Sequence, residues 1–257
     1  AVMTYIDAIR LAMQEEMERD ENVFVMGEDV GVKGGVFGRT KGLYDQFGEY
    51  RALDTPLAES AIAGVAIGAA MYGMKPIAEM QYSDFMLPAT NQIISEAAKI
   101  RYRSNNDWSC PVVVRAPIGG GVFGGLYHSQ CPESVFFGTP GLKIVAPSTP
   151  YDAKGLLAAA IHDPDPVLYF EHKKCYRMIS GEVPEGRDNY RDHVVRPGDT
   201  TPEGLRAKAD YVLAEMERRM AALDVGWTET TAVQAYTVHD LHPFLADSIV
   251  ARGAAPL

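Results

Sequence analysis

The chain predicts an α/β fold over residues 1–186, with a mostly parallel sheet flanked by helices, and a small α+β fragment over residues 187–257. Three observations predict it. Short apolar runs alternate with stretches of helical periodicity, the pattern of a parallel sheet built from strand–helix units. Polar and glycine-rich turns follow several of these runs, where ligand sites form at the carboxyl ends of strands. After about Glu185 the character changes to a polar stretch rich in Gly and Pro, which reads as a linker or the first turn of another unit.

Thr4 is placed to cap a helix whose apolar face carries Ile6, Ile9, Met13 and Met17. Val23 to Met26 reads as a short buried strand closed by Gly27. A helix from Glu59 to Tyr72, dense in Ala, Ile, Val and Gly, is expected to be mostly buried, since small residues allow close packing. Lys75 to Met80 is a strand, and Asp84 to Ser104 holds a long helix that turns basic at Lys99, Arg101 and Arg103, as the helix dipole favours. Pro111 to Arg115, Lys143 to Ala146 and Pro166 to Phe170 are further strands, with a helix from Pro150 to Ile161 between the last two. In the tail, an amphipathic helix spans Gly204 to Leu223 with Leu205, Ala209, Leu213, Met216 and Met220 along one stripe. Trp227 introduces a strand from Thr231 to Val238, and Asp240 is placed to cap a last short helix.

With 47% hydrophobic and 23% charged residues, the chain has the composition of a soluble globular protein. A formal charge of −10 argues against a nucleic-acid groove or an anionic membrane surface, both of which need concentrated Lys and Arg. The three cysteines lack CxxC spacing and fit reduced thiols in a cytoplasmic setting better than a disulfide framework. No run approaches the ~20 apolar residues that span a bilayer, and the first twenty residues are too acidic for a targeting peptide.

Four constellations could carry chemistry. Glu28 and Asp29 directly follow a strand, and either line a site or cap a solvated turn. Glu59 opens an almost uncharged helix, where it either interacts with first-turn N–H groups or, if buried, holds its proton tightly enough to share it with a ring nitrogen. Gln81, Tyr82 and Phe85 offer an amide, a hydroxyl and an aromatic face to a planar ligand, although core is the commoner place for an aromatic such as Phe85. In APIGGGVFGGLYHSQ, Gly119, Gly121 and Gly124 match GxGxxG, but no good helix start follows and no acid stands some twenty residues on. These glycines more plausibly let backbone approach a ligand or a partner chain, and His128 is a catalytic candidate in a polar loop. No HExxH, CxxC or EF-hand loop occurs, while AIHDPDP could present oxygens to a hard cation or simply end a helix.

From residue 3 to about residue 185, the blocks GEDVG, DTPLAES, MQYSDF, LYHSQCPES and FEHK, in that order, resemble the beta subunits of 2-oxo acid dehydrogenases. LYHSQ-PE and FEHK look closer to the branched-chain type than to the pyruvate type. The resemblance implies a thiamine-diphosphate-binding fold and oxidative decarboxylation of a 2-oxo acid, with acyl transfer to a lipoyl group. It implies a hetero-oligomer in which an alpha subunit holds the diphosphate and magnesium and this chain grips the aminopyrimidine. Glu59 matches the glutamate that shares a proton with the pyrimidine, and Phe85 the aromatic packed against it. Glu28 and Gln81 line the same pocket, and His128 matches a loop histidine near the reacting carbon. A structural potassium site maps to carbonyls of Val112, Ala160 and Ile161 with Asp163 and Asp165.

Two departures stand out. Phe123 takes the place of a histidine common in branched-chain members. The family also continues into a C-terminal transketolase-type domain that supports docking to the lipoyl acyltransferase, which this chain is not expected to contain. Residues 198 to 257 instead resemble part of the RidA or YjgF deaminase-like fold, so a chimeric chain is one expectation. Two other readings stand beside the enzyme subunit: a non-catalytic module that keeps the fold, and an imine deaminase centred on the tail.

Overall fold

The computed structural model describes residues 1–184, 195–196, 198–222, 224–229, 240 and 242–253. They fall into two compact units, Ala1–Asp188 and Asn189–Leu257. In the first unit, β1 (Val2–Thr4), β2 (Val23–Gly27), β3 (Ala52–Asp54), β4 (Lys75–Glu79), β5 (Val113–Ile118), β6 (Lys143–Val145), β7 (Val167–His172) and β8 (Ser180–Glu182) follow in chain order. Six of them form one sheet in the order β3-β2-β4-β5-β7-β6, with every neighbouring pair parallel. This is the helix-flanked parallel architecture that the alternation predicts. β3 and the small antiparallel pair β1–β8 escaped the sequence reading, because three residues carry no readable period.

The strands read as near-continuous apolar runs because both faces of the sheet are covered. Val23 and Val25 of β2, Val113 of β5 and Val167 and Tyr169 of β7 enter one core beneath the Tyr5–Arg19 and Pro150–His162 helices. Phe24, Met26, Val114, Leu168 and Phe170, one residue out of phase, enter the other core beneath the Glu59–Met71 helix. Thr4 caps the first helix by accepting the Asp7 N–H, and Thr149 caps Pro150–His162 through Asp152 in the same way.

Two helices differ from expectation. Along Glu59–Met71, Ile62, Ala63, Ala66, Ile67 and Ala70 are buried, but Gly64, Val65, Gly68 and Met71 are exposed. The helix is apolar all round, so its composition could not reveal that the sheet covers only one side. The long helix expected from Asp84 to Ser104 is instead a chain of 3₁₀, π and α turns through Arg103. Pro88 lies inside its first part, and a proline there cannot donate a ladder hydrogen bond.

Four charges lie wholly inside the first core. Glu79 ends β4, Arg115 sits in β5, Glu171 in β7, and Arg39 comes from the loop after β2; all are fully buried. Arg39 pairs with Glu79 at 2.6 Å, and Arg115 pairs with Glu79 at 2.9 Å and also with Glu171. The Tyr176 hydroxyl donates to Glu171 at 2.7 Å and accepts from Arg39 at 3.1 Å. Burial disfavours the Arg39 charge, but Glu79, Tyr176 and Glu171 outweigh it and hold the guanidinium protonated more firmly than usual.

In the second unit a helix spans Pro202–Ala222, with Leu213 of its predicted stripe buried and Met216 exposed. Asp240 accepts the His242 N–H at 2.9 Å and caps the short helix His242–Phe244, as its position suggested. Trp227 lies in a 3₁₀ turn, and the strand expected at Thr231 to Val238 falls outside the described residues.

Glu79 carries both arginines, so Glu79→Gln should leave buried positive charge without its counter-ion. Breaking such a pair costs about 3–5 kcal/mol. Urea unfolding should show a loss of that size; a loss under about 1 kcal/mol would show that the network contributes only what a surface pair does.

Candidate active site

The parallel register sets the carboxyl ends of β2, β4, β5 and β7 along one edge, where the sequence-predicted residues gather. Glu28 follows β2 and is 7% exposed; its Oε1 has no hydrogen-bond partner among the described residues. Burial pushes its carboxyl above the usual range, and the nearby charges of Glu59 and Asp29 push in the same direction. Two acids from different elements thus sense each other across the site.

The loop after Glu28 is held in shape. Asp29 has φ 60°, its carbonyl accepts the Gly35 N–H at 2.7 Å, and its carboxylate takes Lys33 at 2.8 Å and the Gln81 amide at 3.1 Å. Gln81 is thereby oriented against the acid that adjoins Glu28. Glu59, the first residue of its helix, is half-buried, and its preceding residue Ala58 provides no side-chain cap. Burial at this edge therefore falls on Glu28 more than on Glu59, whose burial the sequence left open.

Beside the acids lies an aromatic cluster. The Tyr82 and Phe85 rings meet edge-to-face at 5.5 Å, and His128 lies 4.4 Å from Tyr82 and 5.4 Å from Phe85. Phe85 is half-buried, so it is not simply core. The His128 Nδ1 is buried with no partner among the described residues.

Two glycines of the loop after β5 are explained within the chain. A side chain at Gly119, whose φ is +75°, would meet the His172 imidazole at 2.2 Å, and one at Gly124 would meet the His128 Cβ at 2.6 Å. The close approach is thus to the chain's own histidines. A turn over Leu126–His128 follows in place of the helix that a dinucleotide fingerprint needs. Phe123 is fully exposed at φ 57° and leaves the chain's own site without a second loop histidine there.

Four of the five residues expected to hold potassium already have partners within the chain. Asp163 Oδ1 takes Lys143 at 2.9 Å and the Asp165 N–H, and the Asp165 carboxylate pairs with Arg101. The Val112 and Ala160 carbonyls each accept a backbone N–H, from Val167 and Asp163. Ile161 is buried, and the described residues contain no cluster of three or more metal-ligating His, Cys, Asp or Glu side chains.

Sequence reading passed over several groups that shape this edge: Arg39, Glu79, Arg115 and Glu171 beneath it, and Asp84 and Lys173 at its back. A signal existed for three of them. Glu79, Arg115 and Glu171 are charges inside otherwise apolar strand runs, and such charges are almost never buried unless paired.

Residues 1–178, more than half of the chain, match the family model described as the transketolase pyrimidine-binding domain. The chain belongs to that family. Among relatives of this pyrimidine-binding domain, the 2-oxoisovalerate dehydrogenase beta subunit of Bacillus subtilis is 72% identical over 204 residues, covering 77% of this chain and 62% of that one. A beta subunit of the same description from Pseudomonas aeruginosa is 51% identical, covering 99% and 72%. The pyruvate dehydrogenase E1 beta subunit of Bacillus subtilis is 41% identical, covering 98% and 76%. The chain therefore spans 62% to 76% of the length of these relatives. A solved structure titled split gene transketolase, inactive beta4 tetramer, shares the fold at TM-score 0.54 and 18% identity, over 87% of this chain and 69% of that one. Residues 172–257 match a different family model, described as 2-aminomuconate deaminase CnbZ. No helix of the described residues is long and apolar enough to cross a membrane, and all three cysteines are free thiols.

The raised Glu28 carboxyl makes a pH prediction. An acid whose folded pKa is raised costs nothing below its unfolded pKa, and the cost grows as pH rises through the folded value. Glu28→Gln should therefore raise the Tm at pH about 7 and leave it unchanged near pH 4, the ordinary carboxyl range. Equal shifts at both pH values would assign the effect to packing.

Proposed function

We propose that residues 1–186 are the pyrimidine-gripping half of a thiamine-diphosphate site, in the beta subunit of a dehydrogenase for branched-chain 2-oxo acids. The observation that carries this is the convergence of Glu28, Glu59, Gln81, Phe85 and His128 at one sheet edge, with buried polar atoms of Glu28 and His128 left unpaired. Buried orphans of this kind cost stability unless a ligand satisfies them. The high identity to a 2-oxoisovalerate dehydrogenase beta subunit supports the branched-chain substrate class.

In this reading, thiamine diphosphate, held through its diphosphate and magnesium by an alpha subunit, supplies an electron sink for loss of carbon dioxide. Glu59 holds and moves the proton at a ring nitrogen of the aminopyrimidine. Glu28, whose carboxyl burial pushes above the usual range, lines the same pocket and offers its unpartnered Oε1 to the ring. Phe85 and Tyr82 give the planar ring an apolar wall, and Gln81, oriented by Asp29, offers its amide. His128, whose buried Nδ1 has no partner among the described residues, lies near the reacting carbon and helps position the substrate or transfer the acyl group to lipoyl. The working unit is a hetero-oligomer with the alpha subunit, in the cytoplasm. Residues 187–257 are a linker and a RidA-like fragment, supported by the deaminase family match, and carry no assigned activity. A purely structural module would keep the fold and the alpha partner yet show no turnover.

Glu59→Gln keeps the shape but cannot exchange the proton. Decarboxylation by the assembly with an alpha subunit should fall about 10²–10⁴-fold, the usual range for a general acid–base group. Phe85→Ala should instead raise the cofactor Kd and change turnover little at saturating cofactor. Near-normal exchange of the cofactor's C2 proton in Glu59→Gln would return that residue to the role of a helix-start acid.

Potassium at Val112, Ala160, Ile161, Asp163 and Asp165 would compete with Lys143 and Arg101, which pair with the two carboxylates. If the ion binds, replacing sodium by potassium at constant ionic strength should raise the Tm, and Asp163→Asn should abolish the difference. Identical melting in both salts would leave the ion pairs as the whole account of the turn.

A further inference from the structure

At the back of the aromatic cluster lie two charges that the proposed chemistry does not use. Asp84, in the turn after β4, is 7% exposed, and Lys173, one residue past β7, is 4% exposed. Neither carboxylate oxygen of Asp84, nor the Lys173 ammonium, has a hydrogen-bond partner among the described residues. No direct ion pair joins them, yet each unpaired charge in such a place is costly. Burial pushes the Lys173 ammonium below its usual range, while Asp84 and Cys131 pull it back up.

Their surroundings connect them to His128 by two routes. The Lys173 Nζ stands 5.5 Å from the centre of the Tyr82 ring, the ring that His128 meets at 4.4 Å. The second route is through backbone. Ser83, next to Asp84, donates its hydroxyl to the Gln130 carbonyl at 3.2 Å. Gly119 donates its N–H to the same carbonyl at 3.0 Å, and Ile118 before it accepts the Lys173 N–H at 3.0 Å. The Gln130 amide in turn donates to the Leu126 carbonyl at 3.3 Å, closing the turn that carries His128.

We propose that Asp84 and Lys173 form a buried charge pair, bridged by one water, and act as positioning residues that hold Tyr82 and the His128 turn in place. A water between them has the ammonium as donor and the carboxylate as acceptor, the partners a buried water needs. The role of the pair in turnover rests on the proposed decarboxylase reading; its effect on the His128 ring does not.

The test uses the full chain and reads the histidine ring signals by proton–carbon NMR, with the His128 signal assigned from His128→Gln. Lys173→Met should move that signal, as the ring leaves the shielding of Tyr82 and Phe85, while Lys173→Arg, which keeps the charge over Tyr82, should restore it. With an alpha subunit, Lys173→Met should lower kcat about 10²-fold with little change in KM, the size expected when a reacting group is displaced by about 1 Å. If Lys173→Met does not fold, the double variant Asp84→Asn/Lys173→Met, which strands no charge, takes its place. A His128 signal unmoved in whichever of these folds overturns the positioning role. Lack of turnover by the wild-type assembly, with the His128 signal still sensitive to Lys173, would overturn the decarboxylase reading alone.

Discussion

The site edge rests on a buried exchange of charge between three neighbouring strands and one loop. Glu79, Arg115 and Glu171 stand on β4, β5 and β7, and Arg39 reaches in from the loop that follows Glu28. Each of these strands runs on, within a few residues, into a group at the site: Gln81 after β4, the His128 loop after β5, Lys173 after β7. Because two acids face two bases, all four fully buried, the arrangement is stiff: moving one strand would strand a charge in the core. Arg39 extends the same constraint to the loop that carries Glu28 and Asp29.

That stiffness allows a carboxyl to be kept at an unfavourable place. Glu28 is buried near Glu59 and Asp29, so its ionised form is destabilised by desolvation and by like charge. A flexible loop would relax to let Glu28 reach water. The hydrogen bonds of Asp29 to Gly35 and Gln81, and of Thr40 to Val30, hold the loop against that relaxation. Buried polar atoms of Glu28 and His128 have no partner among the described residues at this edge, where a ligand would repay them.

The two segments of the chain match different family models, and the candidate site residues all lie in the first. The exposed side of the Glu59–Met71 helix, apolar yet facing solvent, lies on the element that begins with Glu59. Such a face is what a composition-based reading mistakes for core.

The sequence by itself determined the α/β class, most strand positions, the helix capped by Thr4, the helix that begins at Pro150, and the family blocks that hold Glu59, Phe85 and His128. These signals are local: period, caps and short motifs survive without knowledge of what packs against them. Only the tertiary structure decided that Glu28 rather than Glu59 is buried, and that Gly119 and Gly124 make room for histidines of the same chain. It likewise joined Asp163 and Asp165 to Lys143 and Arg101, and brought Asp84 and Lys173, 89 positions apart in the chain (173 − 84), into one buried corner. Burial and charge pairing depend on which strands become neighbours, and in a parallel sheet those neighbours are brought together by long crossovers that no local pattern records.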